Sequence, residues 1–98
     1  MGMEALGTYF ATLRGTKSRA RLAAEAGISE MSLLRIETQN QEPKADALVG
    51  LVGALKARWK DVEYLLKHAK SADEGQRLAE EVQAQIQEAE SENARRQV

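Results

Sequence analysis

Arg35 stands one helical turn beyond Met31 and Ser32 in the segment Ser29-Glu30-Met31-Ser32-Leu33-Leu34-Arg35-Ile36-Glu37. On a helix, Met31, Ser32 and Arg35 share a face that lies opposite Leu33 and Ile36. That face offers a planar fork of N–H donors from Arg35, a hydroxyl from Ser32 that donates or accepts, and an apolar tip from Met31. Glu30 adds an acceptor in the first turn. These groups recognise by hydrogen bonding and make or break no covalent bond. A second group, Lys17, Arg19 and Arg21, crowds the start of the preceding helical segment. Cations are the wrong sign for a helix N-terminus, where the backbone dipole favours anions. Folding does not account for them, whereas an anion held between those side chains and the helix amides does.

The elements that position these groups are short helices. Leu6, Tyr9, Phe10 and Leu13 fall at helical spacing over residues 4–14, and Gly15-Thr16 ends that stripe. Ser18 is placed to cap a second helix, RARLAAEA, which Gly27 closes. Ser29 caps a third, EMSLLRIE, anchored by Leu33 and Ile36. A polar loop over Thr38–Pro43 follows, with Asn40 the residue suited to a left-handed conformation. A fourth helix begins near Lys44 to Asp46 and carries Leu48, Leu51, Val52 and Leu55. A fifth, over residues 59–70, places Trp59, Val62, Leu65 and Leu66 on one side, with Trp59 expected as a plug of the core. Nothing alternates like a strand.

Composition narrows the classes of function. The chain has 98 residues, enough for one small domain and a tail. It has no cysteine and one histidine, His68, which removes disulfides, thiolate sites and a histidine-rich zinc site. There is no nucleophile–base set and no phosphate-cradling glycine loop. The expectation is therefore a protein that is not an enzyme, with no catalytic, cofactor or metal residues. No run approaches the roughly 20 apolar residues of a membrane helix, and a cytoplasmic protein is expected. Charge is divided. Residues 1–70 carry eleven Lys and Arg against eight Asp and Glu, a net of +3, while residues 71–98 carry three against seven, a net of −4. A basic body with an acidic tail hints at an anionic partner for the body.

Residues 18–37 are two short helices joined by a tight turn, with small residues Ala23 and Ala26 that let them cross closely. This segment resembles the phage-repressor and Cro-like helix-turn-helix family, often called XRE-like. The resemblance rests on Ser18, Leu22, Ala23, Ala26, Gly27, Ile28, Ser29, Leu33, Ile36, Glu37, Pro43, Leu48, Leu51 and Ala54-Leu55, and it covers roughly residues 4–66. It implies an all-α fold: a five-helix lambda-repressor-like helix-turn-helix domain over residues 1–70, with a C-terminal helical extension over 71–98. It also implies a sequence-specific regulator of transcription that binds double-stranded DNA, a repressor by family habit, acting as a homodimer that inserts the helix near residues 29–37 into the major groove. By position, the resemblance makes Ser29 the cap of the reading helix and places Glu30, Met31, Ser32 and Arg35 at base edges. It places Arg19 at the backbone or an outer base, Lys44 at a phosphate, and Glu37 in a pair with Arg14. The chemistry of the side chains agrees. Arginine matches guanine O6 and N7, a carboxylate accepts from cytosine, serine serves several bases, and methionine suits the thymine methyl. Lys17 and Arg21 join Arg19 as expected phosphate contacts.

The acidic tail, residues 71–98, has Leu78, Val82 and Ile86 at i, i+4 and i+8, a stripe too thin for a lone helix. Pairing with a second copy is the favoured use. Folding back on the domain, or holding a partner protein as an antitoxin-like or assembly protein would, is the alternative. The last nine residues, ESENARRQV, are expected to be unstructured.

Overall fold

The computed structural model describes residues 3–69 and 71–96, and these form six α-helices and no strand. The helices are α1 (Met3–Arg14), α2 (Arg19–Ala26), α3 (Glu30–Thr38), α4 (Ala45–Leu55), α5 (Trp59–Lys67) and α6 (Ala72–Arg96). The fifth helix stops three residues short of the expected 70; Lys70 lies outside the described residues. The last helix runs on to Arg96, through most of the segment expected to be unstructured, and Gln97 and Val98 lie outside the described residues.

Helix α1 is the axis of the fold. Leu6, Tyr9 and Phe10 are buried and meet Leu22, Leu33, Ile36, Leu51, Val62 and Leu65 in a single core. Burying side chains of this size contributes about 1.5–3 kcal/mol each. Helix α6 lies along the opposite side of α1 from α3. Gly75 sits against the Ala5 carbonyl and the Tyr9 amide, where any side chain would collide with backbone. Farther along, the Gln83 side-chain amide donates to the Thr12 carbonyl at 2.8 Å. The two contacts advance together along both helices, so α1 and α6 run in the same direction. Gly50 gives α4 the same close approach to Ala26 of α2.

The tail is therefore part of the core. Ala79 and Val82 are buried against α1, and Leu78 and Ile86 pack on the same cluster. The stripe that favoured pairing between copies covers α1 of its own chain instead. The physical reason lies in the small residues. Gly75 and Ala79 continue the line of Val82 and Ile86, and they let α6 settle close enough for a thin stripe to suffice.

Trp59 is a second departure. It is 52% exposed and does not plug the core. The α5 side chains that point inward are Asp61, Val62 and Leu65, and turning the helix to bury Asp61 swings Trp59 outward. Asp61 is drawn in by partners. The Tyr9 hydroxyl donates to Asp61 Oδ2 at 3.1 Å and accepts from the Arg58 backbone amide at 3.2 Å. Arg58 Nε donates to the same Oδ2 at 2.8 Å. The Arg58 guanidinium then reaches α6, with Nη1 donating to Gln85 Oε1 at 3.3 Å and Nη2 3.5 Å from Glu81 Oε2. One polar cluster thus joins α1, α5 and α6. No buried side-chain nitrogen or oxygen among the described residues lacks a partner.

Burial pushes the Tyr9 phenol up to about 12; the bond from the Arg58 amide opposes the rise and Asp61 adds to it. In the unfolded chain a tyrosine titrates near about 10. The folded state holds this proton more tightly, so the stabilisation is complete below about pH 10 and is lost as pH climbs toward about 12. Stability is expected to fall by about 2–3 kcal/mol over that window on this account. Tyr9→Phe should start less stable and lack this part of the alkaline decline. Urea unfolding of both proteins between about pH 9 and pH 12 reads the difference.

Candidate functional site

The α2–α3 pair is built by local signals. Ser18 is extended, and its side chain accepts from the Arg21 amide at 3.1 Å. Gly27 closes α2 at φ 76°, a left-handed conformation that glycine adopts without steric cost, and the Ile28 amide bonds back to the Ala23 carbonyl at 3.0 Å. Ser29 then caps α3 by accepting from the Ser32 amide at 3.0 Å. Beyond α3, Asn40 takes the left-handed conformation at φ 57°, which ends the helix without the glycine usual in such a place.

One buried carboxylate fixes this pair on α1. Glu37 has a side chain only 1% exposed and receives three N–H donors. Arg14 Nε and Nη2 donate to its two oxygens at 2.8 and 3.1 Å, and Arg19 Nε donates at 2.7 Å. Arg14 Nη1 also donates to the Lys17 carbonyl at 2.9 Å, which pins the link into α2. The forked geometry of arginine suits this bidentate grip.

The cations at the start of α2 are thereby accounted for within the chain. Arg19, expected at a phosphate, is tied by its Nε to Glu37. Lys17 and Arg21 both face Glu25, at 3.0 and 3.5 Å. The sequence reading that folding does not explain these cations is corrected: each has a carboxylate on α2 or α3. Each carboxylate serves two cations, so both clusters keep a positive surplus.

Helix α3 stands as a ridge between two depressions. Arg19, Glu30, Met31 and Leu34 line the one on the α2 side. The one on the α4 side brings Ser29, Ser32 and Arg35 together with Lys44. Arg35 and Lys44 are exposed and have no ion-pair partner among the described residues. Arg35 does not pair with Glu30 or Glu37. The Ser29 hydroxyl donates to Ser32 Oγ at 2.8 Å, which leaves the Ser32 hydroxyl proton free to be given to an acceptor outside. Met31 is 53% exposed on the crest. Lys17 and Arg21 stand farther back, at the start of α2. Gln41, Pro43 and Asp46 also line the α4-side depression; sequence reading missed Gln41 and Asp46, which carry no motif and reach the site only through the loop fold.

The acidic tail is on the far side of α1 and covers neither depression. Its outer face is exposed at Asp73, Gln76, Arg77, Glu80, Glu81 and Glu88. Among the described residues, no cluster of three histidines or carboxylates is placed to hold a metal ion, and no helix is long and apolar enough to cross a membrane. Comparison of the chain with family models, with curated proteins and with solved structures finds no match.

The Glu37 cluster makes a direct prediction. Glu37→Gln removes the charge that two arginines share and leaves their desolvation uncompensated. The arginines are 18% and 36% exposed, which lowers the cost below that of a fully buried pair. A loss of about 2–4 kcal/mol is expected in denaturant unfolding.

Proposed function

We propose that this protein binds double-stranded DNA in a sequence-specific manner, with α3 in the major groove, and regulates transcription from the bound site. The observation that carries the reading is the contrast among the cations. Those of residues 14–21 are engaged with Glu25 and Glu37. Arg35 and Lys44 are not, and they border one depression with the hydroxyls of Ser29 and Ser32. The resemblance of residues 4–66 to the phage-repressor and Cro-like helix-turn-helix family supports the same reading.

The mechanism follows from the ridge. A nine-residue helix fits a groove about 12 Å wide. Its first turn carries Glu30, Met31 and Ser32, and Arg35 lies one turn deeper. Arg35 is suited to the O6 and N7 acceptors of a guanine, Ser32 gives its hydroxyl proton to a neighbouring acceptor, and Glu30 accepts from a cytosine amino group. Met31 meets a thymine methyl. Lys44 neutralises a phosphate at the groove edge, and the positive surpluses of the Arg14–Glu37–Arg19 and Lys17–Glu25–Arg21 clusters attract the backbone without committing a free side chain. Placing the acidic α6 behind α1 keeps its negative charge away from the phosphates.

Selection from a random duplex library at physiological salt tests this reading. Recovery of one enriched sequence is expected, as an inverted repeat with half-sites about one helical turn apart if two chains bind together. Arg35→Ala should cost about 1–3 kcal/mol and relax the preference at one base pair. Lys44→Ala should weaken all sequences alike and lower the salt slope by about 1. A library that returns no enriched sequence rejects the reading.

A further inference from the structure

Helix α4 presents a face that nothing among the described residues covers. Asp46, Val49, Gly53 and Lys56 are all exposed, and Val49 is 62% exposed. Asp46, Val49 and Gly53 recur along α4 at intervals of three and four residues, the spacing of a seam between two helices, and Lys56 follows as the cap of α4 in a left-handed conformation. Leu51, Val52 and Leu55 face the core on the other side.

Gly53 is the unexplained residue of this helix. Gly50, one turn earlier, is required by its contact with Ala26. A Cβ at Gly53 would meet nothing within 4 Å outside its own helix, and its φ is not positive. A glycine inside a helix weakens it relative to alanine, and no contact among the described residues compensates. A gap in a surface helix with no internal use fits a close approach from outside.

The charges say what approaches. The face is acidic at its start, Asp46, and basic at its end, Lys56, with Val49 and Gly53 between at equal distance from the middle. Turn a second copy of α4 end for end, and Asp46 meets the second copy's Lys56 while Val49 enters the space above its Gly53. The same contacts recur on the other side of the twofold axis. The face is its own complement, which is the requirement of an isologous pair. Neither charge has an ion-pair partner within the described chain.

We infer that two copies of this chain associate through antiparallel α4 helices, with Val49 seated on Gly53 and Asp46 paired with Lys56 across the twofold axis. The contact uses neither the α3 ridge nor the α6 stripe. Of its four residues Asp46 also lines the α4-side depression, so the association is read without DNA. An eleven-residue helix makes a small interface, so the dimer is weak and forms in the micromolar to millimolar range.

Sedimentation equilibrium of the full chain over a range of concentrations, without DNA, is the test. The mass is expected to rise from 10.8 kDa toward twice that value. A Cβ at Gly53 meets nothing within 4 Å, and the gain in helix propensity offsets the unfavourable charge near the helix end, so Gly53→Glu should keep its circular dichroism and thermal midpoint yet weaken association at least about tenfold. Asp46→Lys sets like charges together and should also weaken it about tenfold, and adding Lys56→Asp to that variant should restore it to within about threefold. A wild-type mass that stays monomeric up to about 1 mM overturns the inference. So does a dimer that Gly53→Glu leaves intact, or a double charge reversal that fails to recover the loss. Failure of DNA selection with an intact dimer would reject the DNA reading alone.

Discussion

A single buried carboxylate holds this molecule in register. Glu37, on α3, is gripped by Arg14 from α1 and Arg19 from the start of α2. Three helices that already share an apolar core are thereby fixed in one orientation, because separating a buried charge from its partners is costly. The arrangement also decides which cations remain available. Arg14 and Arg19 are used on Glu37, and Lys17 and Arg21 lean on Glu25. Arg35 and Lys44 are left at the rim of one depression, beside two serine hydroxyls.

Helix α1 divides the molecule between two roles. Gly7 and Arg14 look toward α3, while Ala5, Tyr9 and Thr12 look toward α6. Helix α3 and the acidic α6 therefore lie on opposite sides of one helix. The Tyr9–Asp61–Arg58 cluster couples the back layer to the core, since the arginine that steadies Asp61 also reaches Glu81 and Gln85. Small residues set the depth of the packing at Gly7, Gly50 and Gly75, whereas Gly53 has neither a close contact nor a positive φ.

Much of the front of the molecule was legible in the sequence because its signals are local. Ser18 and Ser29 cap within three residues, Gly27 and Asn40 take left-handed backbone, and the Leu33 and Ile36 spacing orients α3. The Arg14–Glu37 pair was readable through the family resemblance. The second arginine on Glu37 was not, because Arg19 reads equally well as a phosphate contact until the distance between helices is known. The back of the molecule was misread where the decisive partner is remote. The burial of Asp61 depends on Tyr9, 52 positions away. That burial is what exposes Trp59. On Leu78, Val82 and Ile86 alone the tail favours pairing over folding back; Gly75 and Ala79, whose small size brings α6 against α1, tip it to the alternative.

The central claim is that α3 and its two flanking depressions form the face that meets DNA, with α6 behind it. Amide chemical shifts recorded as a mixed-sequence duplex is added at low ionic strength test this most directly. The account predicts that the largest changes fall on residues 27–35 and 41–46, with those of 72–89 little altered. Changes concentrated on α5 and α6, or no change anywhere as duplex is added, would contradict it.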